Sequence, residues 1–132
     1  MQASVERLYC VDPYRNLVGY DEPMNLPQEQ FDGLFQFTLA RLAQFGDRYE
    51  HIRAVSKNAA SRMGIVDFVY IDADHSYLGV WNDLCPWFPR VRPGGLVGGH
   101  DYDHLNFPGV RRAIDGFMSY FGLRATHDGD GV

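Results

Sequence analysis

At 132 residues the chain is long enough for one domain with a buried core, and its 45% hydrophobic and 22% charged content is that of an ordinary globular protein. A net charge of −5 and a single lysine, Lys57, leave no basic stripe for phosphate backbones, which argues against nucleic acid as a partner. No apolar run approaches the roughly 20 residues of a membrane span, and MQASVERLYC lacks the apolar region of a signal peptide. Cys10 and Cys85 have no metal-type spacing, so reduced thiols and a cytoplasmic location are expected.

Val5 to Val11 (VERLYCV) reads as a strand ending at Asp12-Pro13. Residues 13–26 read as a loop. Pro27 suits the first turn of a helix in which Phe31, Leu34, Phe35, Thr38, Leu39, Leu42 and Phe45 recur at helical spacing, with Gly46 placed to stop it. Tyr49 to Val55 predicts a short strand, and Ser56 to Met63 a short helix closed by Gly64. Val66 to Ile71 is apolar on both faces apart from Asp67, as buried parallel strands tend to be.

Ser76 can cap the next helix, with Tyr77, Val80, Trp81 and Leu84 inward, until Pro86 and Pro89 end or distort it. Arg92-Pro93-Gly94-Gly95 is a turn, and Leu96 to Gly99 a short strand. Pro108 begins a last helix with Val110, Ala113, Ile114, Phe117 and Phe121 inward and Gly122 at its end. Leu123 to Thr126 suggests a final strand. Strands alternating with helices imply an α/β fold with a parallel sheet and right-handed crossovers.

The chemistry gathers where strands end. Asp72, Asp74 and His75 follow one apolar run; His100, Asp101, Asp103 and His104 follow the next. If those runs are neighbouring parallel strands, seven ionisable groups meet at the edge where open α/β sheets place ligands. Clustered acids repel unless a cation or ligand sits among them. Oxygen donors suit magnesium, calcium or manganese, and added imidazole admits iron or zinc. His75 or His100 could serve as general base near neutral pH, while Asp74 has helix capping as its plainer reading. Asp12 is either an Asp-Pro turn former or an acceptor for ribose hydroxyls. Gly94-Gly95 and Gly98-Gly99 are not a phosphate loop, because no Lys-Ser/Thr follows either pair. A phospho-acceptor receiver domain needs a lysine after its fifth strand, and Lys57 precedes the fourth.

The block DFVYIDADHSYLGVWNDLCPWFPRVRPGGLVGGHDY, followed by GVRRAIDGF, resembles the class I S-adenosylmethionine-dependent methyltransferases. It is closest to the small-molecule O-methyltransferase-like group with an "IDGDHSY … PGG … GHDY … GV..A" pattern. The resemblance covers Val5 to Phe121 and implies a Rossmann-like three-layer sandwich with a mostly parallel sheet. It implies S-adenosylmethionine as cofactor, with Mg2+ or another divalent metal as an option. Asp12 matches the acid that binds the cofactor ribose, and Ser56 a position near the adenine. Asp72 matches the acid ending the fourth strand, at the edge of the adenosine pocket and a magnesium ligand in metal-dependent relatives. Asp101 matches a second metal ligand. Tyr102 falls where catechol-type relatives carry a third, amide ligand, a place His100 or a water would have to fill. His75, His100 and Asp74 are the candidate catalytic groups.

In that family a first strand and its glycine-rich loop precede the position of Val5, and a last strand follows that of Val132. The expectation is therefore one methyltransferase-like domain, residues 1–132, truncated at both ends. Its function would be methyl transfer to the hydroxyl of a small molecule; the alternative is a non-catalytic remnant acting as a binding or assembly module. The gap left by the first strand is closed either by pairing Val5–Val11 with Val66–Ile71 or by a second chain, since an unpaired edge invites a homo-oligomer.

Overall fold

The computed structural model describes residues 5–20 and 23–126. The chain divides into two compact units, Met1–Ala59 and Ala60–Val132. The fold is α/β, and among the described residues both ladders are parallel. The one sheet expected from the sequence is instead two short ladders, because each strand finds its partner within its own unit.

In the first unit, β1 (Leu8–Val11) pairs with β2 (Tyr49–Ile52), Leu8 opposite Tyr49 and Val11 opposite Ile52. The crossover between them carries α1 (Gln28–Leu42). Pro27 stands just before this helix, where its missing N–H costs nothing. The predicted stripe of α1 is only half-buried at Phe31, Phe35, Thr38, Leu39 and Leu42, while Leu34 and Phe45 are exposed. Gly46 does not end α1 directly. The helix tightens at Ala43 into a 3-10 turn that runs to Arg48, and Gly46 inside it has a φ of 53°. The unit boundary falls within α2 (Ser56–Arg62).

In the second unit, β3 (Val66–Ile71) pairs with β4 (Val91–Gly99). The predicted Arg92–Gly95 turn lies inside β4. Val66 faces Val91 and Phe68 faces Leu96, so four residues bulge out opposite Asp67 alone, and Arg92 Nε pairs with Asp67 Oδ1 at 2.5 Å. Helix α3 (Tyr77–Trp87) starts at Ser76, whose Oγ accepts from the Gly79 N–H at 3.0 Å. Pro86 lies in its last turn and forgoes the N–H that would have bonded the Asn82 carbonyl, yet the helix passes through it.

The core of this unit is one cluster. Val80 and Leu84 of α3 meet Val110, Ala113 and Phe117 of α4 (Pro108–Phe121), and Ile71 and Val97 of the sheet pack against them. α4 ends at Gly122, whose φ of 64° lets Gly122 and Leu123 donate back to Ser119 and Met118. This closure turns the chain out of the helix, and residues 123–126 are irregular rather than the expected strand.

Candidate functional site

The ladder of β3 and β4 ends with Ile71 opposite Gly99, and this register puts Asp72 beside His100 and Asp101. His75 comes from the turn before α3. Its Nε2 lies 3.0 Å from Asp101 Oδ2 and 3.7 Å from Asp72 Oδ1. His100 Nδ1 reaches the same Asp101 oxygen at 3.0 Å. Asp72, His75 and Asp101 each offer a ligand atom, and these atoms lie within 4.8 Å of one another.

Burial grades across the group: the Asp101 side chain is 10% exposed, His75 19%, His100 39% and Asp72 50%. Burial alone would raise the Asp101 carboxyl. The His100 hydrogen bond and the imidazoles of His100, His75 and His104 outweigh it and hold Asp101 below the usual carboxylate range. The same hydrogen bond pushes His100 above the ordinary histidine value, against some desolvation. Asp101 also has a φ of 62°, in the left-handed region that few non-glycine residues occupy. Such backbone conformations cluster at ligand-binding sites.

The remaining predicted residues go elsewhere. Asp74 Oδ1 accepts from the Ser76 N–H at 2.8 Å, and its carboxylate fills the space beside Gly79, where an added Cβ would lie 2.3 Å from Asp74 Cγ. It braces the turn that carries His75. Tyr102, at the position of the family's third ligand, instead gives its hydroxyl to Asp115 Oδ1 at 2.6 Å, with Arg111 over its ring. Arg111 also holds Asp103 at 3.0 Å. Sequence reasoning missed Phe107, which has no signal beyond preceding Pro108. Its ring stacks on His75 at 4.1 Å and 14°, and on His104 at 4.6 Å and 24°. Gly109, two residues on, sits against the turn itself: a Cβ there would be 2.6 Å from Tyr77 N and 2.8 Å from His75 O.

Asp12 and Ser56 belong to the first unit. Asp12 follows β1; its N–H extends the ladder to Ile52 O at 3.2 Å, and its Oδ1 accepts from the Tyr14 N–H at 2.5 Å. Ser56 opens α2 and is half-buried.

A family model described as a methyltransferase domain matches residues 1–102. The chain belongs to this methyltransferase-domain family. It is a class I S-adenosylmethionine-dependent methyltransferase-like domain, and S-adenosylmethionine is the cofactor the family implies. The match contains Asp12, Ser56, Asp72, Asp74, His75, His100 and Asp101, and stops before Asp103, His104 and α4. No curated protein matches the chain. Among the described residues, no helix is long and apolar enough to cross a membrane.

The chemistry present fits both groups the family brings to mind. An exposed carboxylate at a strand end is an acceptor suited to a ribose hydroxyl. Asp72, His75 and Asp101 bring two carboxylates and an imidazole within 4.8 Å of one another, donors that a divalent cation could take.

Proposed function

We propose that this methyltransferase domain transfers the methyl group of S-adenosylmethionine to a hydroxyl of a small molecule, with a divalent metal assisting. The observation that carries the reading is the meeting of His75 Nε2 with Asp72 and Asp101 at the C-terminal ends of two paired parallel strands. Asp12 and Ser56 would hold the nucleoside. Asp72, Asp101 and His100 hold the cation, Mg2+ or another divalent ion.

When bound, S-adenosylmethionine supplies an electrophilic methyl carbon, and the cation supplies charge that lowers the cost of deprotonating the acceptor. His75 would hold the proton released by the acceptor hydroxyl as that methyl carbon is transferred. Asp101 and Asp72 face His75 Nε2 at 3.0 and 3.7 Å and orient the ring. Phe107 stacks on the imidazole face and Asp74 braces its turn, so the ring stays in place between turnovers.

Calorimetric titration with S-adenosylhomocysteine tests the reading, and saturable heat is expected. No heat at millimolar ligand, with the protein shown to be folded, would sink it in favour of the non-catalytic module. A parallel titration with Mn2+ should show binding that Asp101→Asn weakens by at least about tenfold, since a neutral amide replaces an anionic ligand.

A further inference from the structure

Asp12 sits in a turn that does not hold itself. Tyr14, which donates its N–H to Asp12, has a φ of 44°, a conformation that bulky residues rarely adopt. Something must keep it there, and the first unit supplies it through Arg53, just beyond the end of β2.

Arg53 Nε donates to Pro13 O at 3.3 Å and its Nη2 to Tyr14 O at 2.9 Å. One guanidinium thus grips two successive carbonyls of the Asp12-Pro13-Tyr14 turn. The guanidinium is itself fixed by α1: it pairs with Asp32 and lies 4.9 Å over the Phe35 ring. The Arg53 hydrogen bond, helped by one from Gln28, holds Asp32 below the usual carboxylate range. Gln28 Nε2 adds a donor to Tyr14 O and another to Asp32 Oδ1, both at 3.0 Å. The Tyr14 ring packs on Phe35 and His51, and its hydroxyl donates to Thr38 Oγ1 at 3.3 Å.

These contacts converge on the geometry of one exposed carboxylate. A surface turn needs no such clamp for its own sake, whereas a carboxylate that must meet a vicinal diol does. We propose that Arg53 is a positioning residue for cofactor binding, clamping the Asp12–Tyr14 turn so that the Asp12 carboxylate is preset for the two ribose hydroxyls. This rests on the reading of Asp12 as the ribose acceptor. Arg53 touches no ligand in it and acts through the turn. Lysine could not replace it, because an ammonium lacks the planar fork that spans two carbonyls and a carboxylate.

The test measures how well the full chain distinguishes S-adenosylhomocysteine from its 2′,3′-dideoxy analogue. Charge-assisted hydrogen bonds to the diol should favour the parent ligand by about tenfold to a hundredfold in the wild type. Asp12→Asn should erase most of that ratio. Arg53→Ala should lower the ratio toward that of Asp12→Asn while affinity for the dideoxy ligand stays near wild type. A clamp serving only the fold would lower Tm or both affinities together and leave the ratio alone. Should Arg53→Ala fail to fold, Arg53→Lys keeps the charge and is expected to give an intermediate ratio.

A wild-type ratio in either arginine variant, with Asp12→Asn lowered, overturns the role of Arg53 and leaves Asp12 intact. A ratio unchanged in Asp12→Asn overturns the ribose reading and the clamp with it.

Discussion

Replacing His75 by alanine is expected to lower the methyl-transfer kcat by about a hundredfold to ten-thousandfold, the range that one positioned general base contributes. His75 is the imidazole whose Nε2 lies within reach of both Asp72 and Asp101, and it is less exposed than His100. Affinity for S-adenosylhomocysteine should change little, because the nucleoside contacts are assigned to Asp12 and Ser56. The measurement is kcat with a panel of phenolic, catecholic and sugar hydroxyl acceptors, alongside calorimetry on the same variant. Loss of kcat with binding retained is the signature of a group acting in the transition state. A His75→Ala protein within tenfold of wild type would remove His75 from the base role. His100→Ala is the informative companion, since His100 shares the Asp101 oxygen and should weaken Mn2+ binding rather than proton transfer.

Phe117→Ala should destabilise the second unit by about 3–5 kcal/mol. Phe117 is fully buried, with Trp81 at 5.6 Å, Phe88 at 5.3 Å and Phe121 at 4.6 Å between ring centroids. Removing the ring leaves a cavity in the middle of the α3–α4 contact. Single domains are typically stable by about 5–15 kcal/mol, so this loss is a large share of the whole. The chain has two tryptophans, Trp81 and Trp87, and both lie in α3. Tryptophan fluorescence in urea therefore follows this unit selectively. Phe121 is 48% exposed, and Phe121→Ala serves as the control, costing about 1 kcal/mol. Equal midpoint shifts for the two variants would show that Phe117 is not the keystone of the cluster.

Much of this arrangement was legible because its signals are local. Val66–Ile71 is a strand with the bounds its apolar run suggests, Ser76 caps α3 as its position before the helix predicts, and Gly122 closes α4. The meeting of Asp72 with His100 and Asp101 followed from two strand ends and a parallel register, both readable as pattern.

What escaped depends on partners distant in sequence. Tyr102 looks like a site residue until Asp115, thirteen residues on, takes its hydroxyl. Phe107 looks like loop until its ring lies on His75. Residues 92–95 read as a turn between elements, yet they bulge within a ladder because Val91 and Leu96 both find partners on β3. Leu123–Thr126 has the residues of a strand, but the closure at Gly122 sends it away irregularly. Division into two ladders was also out of reach, since pairing between strands leaves no mark in either strand's own residues.

Helix α4 holds none of the proposed functional groups, and the family match ends before it. Yet it supplies Val110, Ala113 and Phe117 to the core, Phe107 stands at its threshold against His75, and Gly109 backs the His75 carbonyl. Trimming the protein to its matched stretch would thus keep every reactive side chain and lose the scaffold that aligns them. For anyone grafting or recombining this domain, the chemistry and its foundation are separable on paper but not in the folded unit. The safe crossover point lies beyond Gly122.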